Sequence, residues 1–188
     1  GKSVIFASNR EVANSRSNQL FSVPVTGGFA EKLMEAVAFE GELNTSGNKL
    51  AYRPNNMAYS GASGWRLHRG GSTPPVWIID LEKQQLEKIP HPNANEFNPF
   101  WLGDNVYFLS DRDNTAVNLF RYRNKQVEQL TQNKDWDLRS AAGFGDSIDV
   151  PKRSQVPHDI SPVVMQILQQ LAQNLAQDRS GAIWVTQR

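Results

Sequence analysis

The chain has 188 residues, 39% of them hydrophobic, and 20 Lys and Arg against 19 Asp and Glu, for a net charge of +1. A balance so close to neutral gives no long-range attraction to nucleic acid or to an anionic membrane, and no run approaches the ~20 apolar residues of a membrane-spanning helix. The absence of cysteine excludes disulfides, thiolate metal sites and cysteine nucleophiles together, without fixing the compartment, which stays unknown between cytoplasm and periplasm.

Taken in chain order, the sequence repeats itself. Ser3-Val4-Ile5-Phe6-Ala7-Ser8-Asn9-Arg10 opens a first unit and Asn105-Val106-Tyr107-Phe108-Leu109-Ser110-Asp111-Arg112 returns it, with a weaker copy at Lys49-Leu50-Ala51-Tyr52-Arg53-Pro54-Asn55. Each copy is followed by a second β-rich run (Gln19 to Val23, Val76 to Leu81, Asn118 to Tyr122) and a third (Ala30 to Met34, Gln85 to Ile89, Gln126 to Leu130). Turn chemistry separates them at Thr26-Gly27-Gly28, Ser46-Gly47-Asn48 and Gly103-Asp104-Asn105.

Gly41 to Thr45 and Phe97 to Leu102 precede two of the copies and read as innermost strands, and Asp137 to Ala142 begins another. The spacing fits four antiparallel strands per unit. The expectation is a mainly β chain: a partial β-propeller of about three four-stranded blades over 1–148. It divides into an incomplete blade 1–40, blades 41–92 and 93–134, and the start of a further blade at 135–148.

Residues 149–161, with Pro151 and Pro157, read as a linker, and 162–188 as a helix and a terminal strand. Val164, Ile167, Leu168, Leu171 and Leu175 recur at helical spacing behind Ser161 as N-cap and Pro162 in the first turn. Such a stripe packs on its own domain or pairs between molecules, and Ala182 to Thr186 reads as one more strand. Two or three blades cannot close a ring, so a homo-oligomer through blade edges or the terminal helix is an expectation. The chain shows no signal peptide, and Gly1 opens on what reads as mid-domain sequence.

No catalytic, cofactor-binding or metal-binding residue emerges. His68, His91 and His158 stand at no metal-ligand spacing, and no Gly-x-Ser-x-Gly elbow is present. Ser110-Asp111-Arg112 reads as a strand end entering a turn, where the carboxylate accepts backbone N–H groups and the guanidinium pairs with a neighbouring blade. Trp65, Trp77, Trp101, Trp136 and Trp184 read as packing between blades rather than a stacking platform, since no basic surplus accompanies them.

Gly64-Trp65-Arg66-Leu67-His68-Arg69-Gly70-Gly71, followed by Val76-Trp77-Ile78-Ile79-Asp80-Leu81, resembles the propeller blades of the tricorn protease family. So does Asn98-Pro99-Phe100-Trp101-Leu102-Gly103-Asp104-Asn105 running into Val106 to Arg112, with Asn118 to Tyr122 and Gln129-Leu130-Thr131 behind it. The resemblance covers about residues 1–145; single blades are more loosely similar to TolB-type propellers and prolyl-oligopeptidase relatives. It makes Trp65, Arg66, Arg69, Gly70, Gly71, Trp77, Trp101, Ser110, Asp111 and Arg112 a structural blade motif. It implies a large serine peptidase of oligopeptides in which propellers precede a PDZ-like module and a catalytic domain, and channel substrate. The catalytic residues of that family have no counterpart here. Two functions follow as expectations: a non-catalytic propeller segment scaffolding or gating peptide access, or a stand-alone TolB-like interaction module that self-associates. The partner is a peptide or protein in either case, with no cofactor.

Overall fold

A computed structural model describes residues 2–14, 16–56, 69–71, 73–114 and 116–150. The described residues form a three-stranded sheet of β1 (Ser3–Ser8), β2 (Gln19–Pro24) and β3 (Glu31–Lys32). A four-stranded sheet follows, of β4 (Glu40–Leu43), β5 (Lys49–Arg53), β6 (Trp77–Asp80) and β7 (Gln85–Lys88). The next is β8 (Glu96–Leu102), β9 (Asn105–Ser110), β10 (Asn118–Arg123) and β11 (Gln126–Gln129), and a hairpin of β12 (Ala142–Phe144) and β13 (Ser147–Asp149) begins another. Every pairing is antiparallel between strands consecutive in sequence, so each sheet is a meander. The expected terminal helix and strand, and Trp65 and Arg66, lie outside the described residues.

The turns follow from local chemistry. Asn124 and Lys125 both adopt positive φ (51° and 60°), the conformation a two-residue hairpin needs to follow the twist of β10 and β11. Between β6 and β7, Asp80 Oδ1 accepts the backbone N–H groups of Glu82 and Lys83 at 3.1 and 2.9 Å, and Gln84 turns the chain at φ 55°. β7 is exposed along its whole length and reads Gln-Leu-Glu-Lys, so the outer edge presents charge rather than an apolar template.

The core lies between the sheets. Ile5, Ala7 and Leu20 of the first sheet meet Ala38, Leu50 and Tyr52 of the second. Ala51, Val76, Ile78 and Ile89 on its other face meet Val106, Phe108, Phe120 and Tyr122 of the third. Phe97, Phe100, Tyr107, Leu109 and Leu119 then meet Leu138 and Ala141 ahead of the fourth, with Ile148 and Val150 packed alongside. Alternate residues of one strand therefore serve opposite interfaces, the two-residue period of a sheet buried on both faces. Each of these three clusters is closed by residues from both sides of a seam.

Gly41 marks the closest approach. A Cβ there would stand 2.8 Å from the Ala51 carbonyl oxygen and 2.9 Å from Leu20 Cδ1, so only glycine lets the first sheet lie against β4. The expected inner strand at 137–142 is displaced: the strand begins at Ala142. Asp137 and Leu138 are occupied elsewhere, with the Val117 N–H donating to Asp137 Oδ1 at 2.9 Å and the Leu138 N–H to the Val117 carbonyl at 3.1 Å. That segment straps the third sheet to the fourth instead of pairing within it. β13 likewise carries ordered strand to Asp149, the first residue of the expected linker.

Candidate functional site

Two polar constellations sit at the seams between sheets, and both are built from residues far apart in sequence. The first surrounds the innermost strands β4 and β8. Asn98 interrupts β8 at φ 53°, and the register to β9 slips by one residue between Phe97 and Phe100. The bulge frees the Asn98 N–H to donate to Glu40 Oε1 on β4 at 2.7 Å, while Arg53 Nε donates to the same oxygen at 2.8 Å. The Asn98 side chain meanwhile grips the next seam: its Nδ2 donates to the Ala141 carbonyl at 2.9 Å and its Oδ1 accepts the Ala141 N–H at 3.0 Å. Trp101 Nε1 donates to the Glu42 carbonyl at 2.9 Å. The innermost strands of three consecutive blades are thus stitched together.

The second constellation lies where the strand-linking segments of the second and third sheets meet. Asp111 follows β9 and is nearly inaccessible; its Oδ1 accepts the Asn95 N–H at 2.9 Å and its Oδ2 the Asn95 side-chain amide at 2.8 Å. Arg69 reaches across from the segment between β5 and β6. It donates to Asp111 Oδ1 at 3.0 Å, to the Asp111 carbonyl at 2.7 Å and to Asn114 Oδ1 at 2.8 Å. Gly70 supports that reach by a tight turn, its carbonyl accepting both the N–H and the hydroxyl of Thr73 at 3.0 and 2.9 Å.

Arg112 lies beside Asp111, its guanidinium 5.1 and 5.3 Å from the ring centres of Phe108 and Phe120. It donates to the Pro90 carbonyl at 3.0 Å and to Glu96 Oε1 in a short ion pair. The Glu96 side chain is fully buried, its Oε2 accepting the Val76 N–H at 3.2 Å. Burial pushes the Glu96 carboxyl up to about 7, against the pull of the Arg112 cation. Burial also lowers His91 below its ordinary value, although its Nε2 sits 2.6 Å from the Ala94 carbonyl oxygen.

Of the blade-motif residues, then, Arg69, Gly70, Asp111 and Arg112 gather at this second seam, where the Ser110 hydroxyl accepts the Arg112 N–H at 3.1 Å. Trp101 stands at the axial seam. Trp77 stands apart, edge-on to Tyr52 at 6.2 Å and under Lys88 Nζ at 4.7 Å. Gly71 has open space where a side chain would be. Glu40 and Glu96 carry no local signal in the sequence, and Asn98 stands in the blade-like stretch with nothing but its neighbour to mark its role. The Pro99 that follows Asn98, in a run otherwise rich in aromatics, was the one available sign of a bulge.

Among the described residues no cluster of His, Asp and Glu has the makings of a metal site, and no helix is long and apolar enough to cross a membrane. The seams are dense in internal bonds between neighbouring sheets, which makes them frameworks that hold neighbouring surfaces in place.

The family model for the tricorn protease N-terminal beta propeller domain matches residues 1–153. The crystal structure of TolB from Acinetobacter baumannii aligns with a TM-score of 0.54 at 14% identity, over 82% of this chain and 36% of that one. A candidate TolB from Agrobacterium tumefaciens aligns with a TM-score of 0.50 at 15% identity, over 72% of this chain and 45% of that one. At these identities the likeness is one of fold, and the chain spans less than half of either structure. No curated protein matches it.

Proposed function

We propose, from the premise that the chain belongs to the family of tricorn protease N-terminal β-propeller domains, that its blades are a non-catalytic wall that scaffolds or gates the access of peptides to a peptidase. The family match over residues 1–153 carries this reading. Loops on a rigid blade scaffold are the ordinary place for recognition, because the framework fixes them at no further ordering cost. The Arg69 clamp on Asp111 and Asn114 supports a peptide-contacting role for the segment between β5 and β6, since it holds the end of that segment against the next blade.

The test is fluorescence anisotropy of labelled oligopeptides on the full chain, beside Arg69→Ala. Saturable binding without cleavage, weakened in the variant, supports the proposal. Cleavage of the peptides overturns the non-catalytic assignment, and absence of binding overturns the peptide one. A second reading, a stand-alone interaction module of TolB type, draws on the shared fold; a folded protein partner retained in place of peptides distinguishes it.

A further inference from the structure

The second and third blades part at their outer edge. Ala51 and Ile78 press against Phe108 and Phe120 along the inner and middle strands, but every residue of β7 is exposed. The wedge left between the sheets is a cleft of about 610 Å³, within the ~300–1,000 Å³ range of ligand sites. Ile78 and Tyr122 line it, and the Tyr122 hydroxyl donates across it to Glu87 Oε1 at 2.6 Å. The cleft lies at the end of the sheets opposite the Arg69–Asp111 seam. Lys49 opens β5 level with Asp80 and Gln85, and Tyr122 pairs with Val106 near the start of β9, whereas Asp111 follows the end of β9.

The charge of the cleft is one-sided. Lys49, Lys83, Lys88 and Lys125 line it against two carboxylates, Asp80 and Glu87. Both carboxylates already serve the fold: Asp80 Oδ1 accepts the N–H groups of its own turn, and Glu87 accepts the Tyr122 hydroxyl. Lys83 Nζ stands 3.9 Å from Asp80 Oδ2 and Lys88 lies over the Trp77 ring, while Lys49 and Lys125 form no ion pair with a described residue. Two uncompensated ammonium groups in a cleft with protein walls draw anionic groups into it.

β7 adds a template. It pairs with β6 on one side and with no described strand on the other, so its outward N–H and C=O groups can receive an added strand. Side chains alternate along it: Glu87 faces the third blade, and Leu86, 44% exposed, lies on the opposite face. We propose that this edge and cleft bind an extended acidic peptide, which adds to β7 and alternates carboxylates toward Lys49 and Lys125 with apolar side chains beside Leu86. The charge on β7 itself disfavours a wholly apolar strand. Asp80 and Glu87 repel a polyanion such as nucleic acid, whose charges do not alternate with apolar groups. This surface is separate from the segment that Arg69 holds, and it does not depend on a peptidase.

The test uses the full chain and a short labelled peptide that alternates glutamate and valine, read by fluorescence anisotropy. Saturable binding is expected, weakened by added salt and by about fivefold or more in a Lys49→Gln, Lys125→Asn variant. Both lysines are exposed, and asparagine tolerates the positive φ at 125, so the variant should fold as the wild type does. Amide hydrogen exchange of the complex should slow about tenfold or more at β7. Absence of binding, equal binding of a lysine–valine counterpart, or undiminished binding by the variant would overturn the proposal. Binding that leaves exchange at β7 unchanged, or that Arg69→Ala weakens as much as the lysine variant does, would place the peptide elsewhere and overturn it too. Displacement of the peptide by a single-stranded oligonucleotide that itself protects β7 would assign the cleft to a polyanion, against the proposal.

Discussion

Glu96→Gln isolates one buried charge. In the unfolded chain the Glu96 carboxyl titrates near its ordinary 4.5, and in the fold it titrates at about 7 because burial disfavours the anion more than Arg112 favours it. The folded state therefore binds the proton more tightly, and stability from this group is complete below pH ~4.5 and is lost as pH rises through ~7. A shift of this size, at about 1.4 kcal/mol per pH unit, amounts to roughly 3 kcal/mol. The variant keeps the shape but does not titrate, and its single oxygen serves either the Val76 N–H or Arg112, a loss that does not change with pH and leaves the pH dependence as the readout. Urea unfolding of both proteins between pH 4 and 8 should show the wild type losing about 3 kcal/mol relative to Glu96→Gln across that window. A stability difference that stays flat would mean that Arg112 holds the carboxylate ionised throughout, and that ion pairing, not burial, governs the seam.

Phe108→Ala should cost about 3–5 kcal/mol in chemical denaturation, because Phe108 is fully buried between the second and third blades and truncation leaves a cavity bounded by both. Gly41→Ala should destabilise by about 1–3 kcal/mol, since the added carbon meets a backbone oxygen that cannot step aside, and the thermal midpoint should fall accordingly. Trp101→Phe keeps most of the ring but removes the donor to the Glu42 carbonyl; a loss of about 1 kcal/mol is expected, and Glu42→Ala in the same background should leave that part unchanged, because the acceptor is backbone.

Much of the architecture was legible where a residue's neighbours are close in sequence. Val106 to Ser110 and Ser3 to Ser8 are β-branched and aromatic runs whose form is set within the strand and the turn that follows, and both are strands. The seams were not legible. Asn98 takes its bulge from a contact with Glu40, 58 positions away, and Arg69 finds Asp111 at a separation of 42, so no local pattern announces either. The displaced third inner strand, expected at 137–142, has the same origin. Asp137 and Leu138 have strand-compatible surroundings, but the unpaired end of the third sheet at Val117 claims them first. Burial likewise decided Glu96, which in sequence is one ordinary acidic residue among others.

The slipped register in β8 lets Phe97 and Phe100, three residues apart, join the same cluster, while Trp101 packs toward the second blade and Leu102 toward the fourth. An odd step between like-facing residues is possible only because one position is counted twice on that strand and once on its partner. Deleting Asn98 would act as a frameshift in space: indole and isobutyl groups would trade sides, and each seam would receive the volume meant for the other. Natural variants of this strand are therefore expected to hold its length constant and to keep at position 98 a residue that tolerates positive φ.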